Sequence, residues 1–343
     1  MDRSDALRPR YIPTLDGLRA LAISLVVVSH TLPQESIYHR LGHVGVLLFF
    51  ALSGYLITTK LLEEYRQHGT IDLRAFYLRR AFRILPPAFT YLTLLSILFA
   101  LGWVVCDVRS IVAAVFFWIN YIPVTIVAWK AGHFWSLSVE EHFYLLWPAL
   151  LILSGVVRGW RTAACLALAI CLWRSVEFNW HWFFHTDYIA DTLLWGCCLA
   201  FFPPRLIRFP TIITLGLFAF YWLVEFEPVH GRSMIMIEHL LPSLILGVIV
   251  MSPLSLVGGF LEIPLIRYLG KLSYSLYIWQ QMFLGGQGNH LPWWAGVICA
   301  GFAAYISYQF IEKPCIGLGR RVIDRMEGRG KLAAIVEGGH RPS

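Results

Sequence analysis

The sequence predicts an all-α polytopic membrane protein, a single transmembrane helical bundle, and three observations carry the prediction. Of its 343 residues, 57% are apolar and only 14% are charged, where a soluble domain carries about 25% charge. The mean hydropathy is +0.62. Several apolar runs reach or approach the ~20 residues that span a bilayer as a helix. Runs of that length are not the ~10-residue alternation of a membrane β-barrel.

The first helix is expected from about Leu15 to Leu32, with Asp16 as its cap after the turn-forming Pro13. The basic N-terminal segment before it favours a cytoplasmic start. This helix is longer than a signal core and no small-residue cleavage site follows, so it is expected to be retained. A second helix spans Val44–Leu62, with Ser53-Gly54 at its middle, where small residues permit close helix approach. The next connection is the most cationic of the chain and holds Arg66, Arg74, Arg79, Arg80 and Arg83. From Ala75 to Leu85 it alternates basic with aromatic or aliphatic residues, as an interfacial helix does. Pro86-Pro87 is expected to start a new helix to about Val105. Ile111–Ala128 is apolar but interrupted by Asn120 and Pro123, and is read as spanning or partly re-entrant. Gly132–Leu153 has a polar entry with two carboxylates. Further helices are expected near Thr162–Trp173, Asp191–Phe202, Pro210–Phe226, Ile237–Val257, Leu272–Leu284 and Trp293–Ile311. These are eleven segments. Arg158 with Arg161, Arg205 with Arg208, and Arg267 with Lys271 mark loops expected on the cytoplasmic side. Both termini on that side require an even number of spans, so about ten are expected, and the charge pattern conflicts most around Ile111–Ala128. The whole chain, 1–343, reads as one domain whose last part, 313–343, is a basic cytoplasmic tail, poorly ordered at its end.

The formal charge of +7 is spread over loops, so it reads as positive-inside bias and no nucleic-acid partner is expected. None of the seven cysteines forms a C-x-x-C pair and most lie within apolar runs, so no disulfide and no metal site are expected. The chain lacks G-x-x-x-x-G-K-[ST], G-x-S-x-G and H-E-x-x-H, which removes phosphate-loop, nucleophile-elbow and zincin motifs. Asp187 and Asp191 suit helix-dipole stabilisation at a helix start better than catalysis.

Three groups remain as candidates for chemistry. Arg19 and His30 have ten residues between them. At ~100° per residue the helix returns to within ~20° of its starting direction, so both lie on one face, ~16 Å apart along the axis. One face thus presents a fixed cation and, at another depth, a base that titrates near neutral pH. Arg80 and Arg83 are three apart on a helix and suit a phosphate clamp, because guanidinium forks match phosphate oxygens. Glu140, beside Glu141, offers a carboxylate that orients a histidine or an acceptor hydroxyl.

In this order the blocks resemble the acyltransferase-3 family of integral membrane O-acyltransferases over nearly the whole chain. LDGLRALAISLVVVSH carries the family's Arg–His arrangement in Arg19 and His30. FFALSGYLIT resembles its second-helix block, with Ser53, Gly54 and Thr58 in register, and FYLRRAFRILPP its R-x-x-R pair at Arg80 and Arg83. HFWSLSVEEHFYLLWP aligns Glu140 with a family glutamate, and LGKLSYSLYIWQ and FIEKP resemble the last blocks. Two positions depart from the pattern. Gln280 stands where many members have histidine, and Ile189 stands where many have an arginine two residues before the aspartate matched to Asp191. No stretch resembles the hydrolase-like domain that some members carry.

The resemblance implies transfer of an acyl group, usually acetyl, from cytoplasmic acyl-CoA to a hydroxyl of a carbohydrate or lipid-linked glycan at the bacterial inner (plasma) membrane. Acyl-CoA is then a co-substrate and no permanently bound cofactor is expected. Arg19, Arg80 and Arg83 would hold its phosphates, its pantetheine arm would reach along the first helix, His30 would act as general base, and Glu140 would orient or charge-stabilise His30. A transporter or flippase of a glycan or small anionic metabolite would share the buried charge, but no internal repeat supports it. The pattern also disfavours the other large class of membrane acyltransferases and a non-enzymatic scaffold.

Overall fold

The computed structural model describes residues 12–32, 40–176, 184–202, 211–226, 232–252, 255–286 and 291–338, and among these it is helical with no strand. The basic segment before Tyr11, and Arg205 and Arg208, lie outside the described residues.

Helix α1 (Pro13–Thr31) starts on Pro13, whose missing N–H costs nothing in a first turn, and Ile12 precedes it without a side-chain cap. Asp16 is therefore not the cap expected of it. It lies buried in the first turn and pairs with Arg19 at 2.9 Å. Helix α2 (Leu41–His68) runs past the expected Leu62 until Gly69, at φ 73°, closes it by donating its N–H to the Tyr65 carbonyl. The expected close approach at Ser53-Gly54 is present. A Cβ at Gly54 would overlap the Leu193 carbonyl, and one at Gly196 the Ala51 carbonyl, so α2 meets α7 (Asp191–Ala200) backbone to backbone.

Helix α3 (Leu73–Ala100) corrects a boundary. The interfacial helix and the helix expected to begin at Pro86-Pro87 are one continuous element, capped by Asp72, whose Oδ1 accepts from the Ala75 N–H at 3.0 Å. Prolines remove two N–H donors from its interior, and side chains take up nearby carbonyls instead. Thr90 Oγ1 donates to Pro86 O at 2.8 Å, and the Tyr274 hydroxyl donates to Ile84 O at 2.6 Å. Ile111–Ala128 is not a single helix. Helix α4 (Val108–Val115) has 8 residues, ~12 Å at 1.5 Å per residue, too short to cross ~30 Å of hydrocarbon.

Then follow α5 (Phe134–Leu153), α6 (Gly159–Val176), α7, α8 (Thr211–Phe226), α9 (Arg232–Met251) and α10 (Pro264–Phe283). Helix α11 (Trp293–Ser307) passes through a π turn at Tyr308–Glu312 into α12 (Lys313–Gly338). The tail is thus helical as far as Gly338, and its Gly319 packs against Phe82 of α3.

Helix α1 is the axis of the fold. It packs between α2 and α10, burying Leu18, Ile23 and Val26 in one contiguous core. Among the described residues, four helical stretches are long and apolar enough to cross a membrane: Leu41–His68, Leu73–Ala100, Val156–Val176 and Trp293–Met326. Arg80 and Arg83 lie on one of these, Leu73–Ala100, whereas α1 carries Asp16, Arg19 and His30, and α5 carries Glu140, Glu141 and His142.

Candidate active site

Arg19, Arg80, Arg83 and Glu140 all line one cleft of about 860 Å³, a volume that includes solvent at its mouth and falls in the range of small-molecule sites. Helix α1 supplies Arg19, α3 supplies Arg80 and Arg83, α5 supplies Glu140 and Tyr144, and α2 supplies Ser53 and Lys60. Arg80, Arg83 and Arg19 all repel Lys60, so the cations share one field. Arg19 is offset by Asp16 at 2.9 Å. Arg80 and Arg83 are different: among the described residues, no carboxylate stands within ion-pair distance (4.0 Å) of either. Glu140 and Glu141 act on Arg80 only from farther away, and Glu312 acts likewise on Arg83. The Arg80 guanidinium lies 4.8 Å over the ring of Tyr144, which fixes its direction. Half-buried cations left without counter-ions are costly to assemble, and an anionic ligand offsets that cost.

Glu140 is held at two points. Ser53 Oγ donates to its Oε1 at 2.7 Å and the Tyr144 hydroxyl to its Oε2 at 2.9 Å. This arrangement corrects the expected pairing with His30. The described hydrogen bond of His30 joins its Nδ1 to Gln280 Oε1 at 2.7 Å. Its ring stands edge-on to Trp129, with centroids 5.3 Å apart. The neighbouring His133 is fixed by Gln281 Oε1, which accepts from its backbone N–H at 3.0 Å and contacts its Nδ1 at 2.7 Å. Trp129 in turn donates from Nε1 to Leu284 O at 2.9 Å. It lies so close to Gly285 and Gly286, at φ 61° and 78°, that no side chain fits at either. His30 and Glu140 therefore belong to two ends of one helical framework. His133, beside His30, precedes Glu140 by ~10 Å along α5 at 1.5 Å per residue.

Arg19 and His30 lie on one unbroken helix, as their spacing requires. The amide carbonyl of Gln280 accepts from a proton on His30 Nδ1, which leaves Nε2 with the lone pair a base needs.

Sequence reasoning missed several groups. Lys60 and Ser53 are seven apart on α2 and so share a face, a spacing that could have drawn Lys60 into the cleft. Tyr144 follows Glu140 by one turn. Asp191, assigned only a dipole role, is fully buried and pairs with Arg174 at 2.8 Å. That guanidinium comes from α6, where Ile189 cannot supply one. Nothing in the spacing of Arg174 and Asp191 foretold the pair, because α6 and α7 meet only in the fold.

The chain is similar to known proteins. The model of the acyltransferase-3 family, described as an acyltransferase domain, matches residues 12–311. O-acetyltransferase OatA of Staphylococcus aureus strain NCTC 8325 / PS 47 is 29% identical over 352 residues, covering 89% of this chain and 57% of that protein. O-acetyltransferase OatA of Staphylococcus aureus strain COL gives the same identity and coverage. The chain thus spans 57% of the length of the curated relatives it matches. No solved structure matches it. With the family model covering the cleft, its three arginines and His30, the chain belongs to the acyltransferase-3 family of membrane O-acyltransferases.

Proposed function

We propose that the chain transfers an acetyl group from acyl-CoA, bound with its phosphates in the arginine-lined cleft, to a hydroxyl of a carbohydrate or glycan acceptor beside His30. The observation that carries this reading is the pair Arg80 and Arg83, which face the cleft with no carboxylate within ion-pair distance among the described residues. Phosphates are the natural anions for two guanidinium forks one helical turn apart. The pantetheine arm then runs along α1, and the ~16 Å from Arg19 to His30 matches its extended reach.

At the far end His30 Nε2 takes the proton of the acceptor hydroxyl as its oxygen attacks the thioester carbonyl. The C–S bond breaks, the CoA sulfur leaves as thiolate and recovers the proton from His30, and the products are free CoA and an O-acyl ester. Gln280 keeps the other ring nitrogen protonated, so the base is ready in the correct tautomer. Glu140 acts on the donor side: it fixes Ser53 and Tyr144, and through Tyr144 the plane on which Arg80 rests. In this reading the arginine end faces the cytoplasm, about ten spans cross the plasma membrane, and both termini are cytoplasmic. The printed names of the relatives, O-acetyltransferases, support acetyl as the transferred group.

The test is transfer of label from [acetyl-14C]acetyl-CoA in membranes that hold the protein and its glycan, with mass comparison of cell-surface glycans with and without the gene. The expected result is one glycan that loses acetyl mass when the gene is removed. Unchanged glycans, together with purified protein that neither binds nor hydrolyses acetyl-CoA, would leave the transporter reading in its place.

A further inference from the structure

Far from the donor cleft, three side chains with metal-ligand chemistry converge. His43 lies in the first turn of α2, and Glu238 and His239 lie on α9. His43 Nε2 is 2.8 Å from Glu238 Oε1, and one ligand atom from each of the three residues lies within 4.8 Å of the others. His43 and Lys60 are ~25 Å apart along α2 at 1.5 Å per residue, so this cluster is separate from the cleft. Glu238 and His239 are buried.

The protonation of His239 can be worked out from its neighbours. Arg174 Nη1 has two hydrogens; one goes to Tyr188 O at 2.6 Å and the other to Asp191 Oδ1 at 2.9 Å. His239 Nδ1 lies 3.0 Å from Arg174 Nη1 and 2.8 Å from Asp191 Oδ1, a carboxylate oxygen that can only accept. That nitrogen must then carry the proton and donate to the carboxylate. The lone pair sits on Nε2, which is buried and has no hydrogen-bond partner among the described residues. An acceptor orphaned in a buried site costs free energy that a bound cation removes. A carboxylate on the far nitrogen of a histidine is also the usual support of a metal-bound imidazole.

We propose that His43, Glu238 and His239 form a binding site for one divalent transition-metal ion of the zinc class, with Asp191 orienting His239 from behind. Two neutral imidazoles and a carboxylate are a recognised zinc donor set, whereas calcium and magnesium select oxygen ligands. Zinc bonds of ~2.0–2.1 Å place ligand atoms ~3.3 Å apart in a tetrahedron, so the widest separation closes by at most ~1.5 Å while His43 Nε2 and Glu238 Oε1, 2.8 Å apart, open by ~0.5 Å. The fourth position stays open to water or another ligand. The ion ties the first turn of α2 to α9, and through Asp191 and Arg174 to α7 and α6.

The experiment uses the full chain in detergent, carrying no histidine tag, stripped with a chelator and titrated with Co²⁺ as a visible probe, then with Zn²⁺ in competition. The expected result is one Co²⁺ per chain with a visible d–d band, displaced by Zn²⁺. Glu238→Gln and His239→Ala should each weaken binding at least ~10-fold, while His68→Ala, at the opposite end of α2, should leave it unchanged. Gel filtration reports folding, and His239→Gln replaces the alanine variant if that one aggregates. Binding that is absent in the wild type, or that is equally strong in Glu238→Gln and both His239 variants, overturns the proposal. A water molecule on His239 Nε2 in place of a metal would give the first of these results.

Discussion

Arg83 offers the sharpest test of the donor cleft, because it lines the cavity and no aromatic ring is described beneath it as Tyr144 lies beneath Arg80. A charge-assisted hydrogen bond contributes ~1.5–3 kcal/mol, and each 1.4 kcal/mol is about tenfold in Kd. Arg83→Ala should therefore weaken acyl-CoA binding ~10–150-fold. The cluster itself argues for the lower part of that range. Arg80 and Arg19 feel Arg83 as a like charge, and removing it relieves their repulsion in the unliganded protein. A loss of ~10–30-fold is the expected outcome. Arg83→Lys keeps the charge and loses the fork, and should fall between wild type and alanine. The assay is equilibrium binding of labelled acetyl-CoA to detergent-purified protein at two ionic strengths, with gel filtration as the folding control. The wild-type affinity should drop as salt rises, and the variant's affinity should drop less steeply. A well-folded Arg83→Ala protein that binds acetyl-CoA within about twofold of wild type would refute the clamp, whatever happened to activity.

Further expectations concern the other end and the frame. His30→Ala should abolish acetyl transfer, a loss of ~10²–10⁴-fold, while acetyl-CoA binding stays near normal in the same binding assay. Gln280→Leu should lower kcat about tenfold with KM for acetyl-CoA little changed, since one hydrogen bond of ~1–1.5 kcal/mol holds the His30 tautomer; equal activity would remove Gln280 from the mechanism. Gly54→Leu should destabilise the bundle by well over 1 kcal/mol and lower Tm in a detergent melt, because its Cβ would meet the Leu193 carbonyl. Glu140→Gln should weaken acetyl-CoA binding less than Arg83→Ala, because an amide still meets Ser53 and Tyr144.

The parts of this fold legible in the sequence are those governed by period and composition. Helical character, the common face of Arg19 and His30, and the one-turn spacing of Arg80 and Arg83 follow from 3.6 residues per turn and survive in the structure. The small pair Ser53-Gly54 marked a close crossing, and α7 makes that crossing. Boundaries fared worse where a tertiary partner overrides a local rule. Pro86-Pro87 reads as a helix start, yet Thr90 and Tyr274 take up carbonyls beside the kink and α3 continues. Asp16 reads as a cap, but Pro13 opens the helix and Asp16 turns to Arg19. Partnerships between distant residues were the least legible of all. The blocks read Glu140 as the carboxylate that orients His30; the fold instead holds Glu140 on Ser53 and Tyr144 and brings His133, just before α5, beside His30.

The two departures from the family pattern point to one physical rule. At Ile189 the expected guanidinium is gone from its place in the sequence, and Asp191 is nevertheless held by Arg174 from the neighbouring helix. A fully buried carboxylate cannot be left without a positive or hydrogen-bonding partner, so the position of the arginine can move provided the ion pair survives. At position 280 the side chain of this protein meets His30 Nδ1. An amide oxygen meets it as a fixed acceptor at 2.7 Å and, unlike histidine, cannot itself take a proton. In the proposed mechanism His30 takes the proton of the acceptor hydroxyl and returns it to the leaving sulfur in the same turnover.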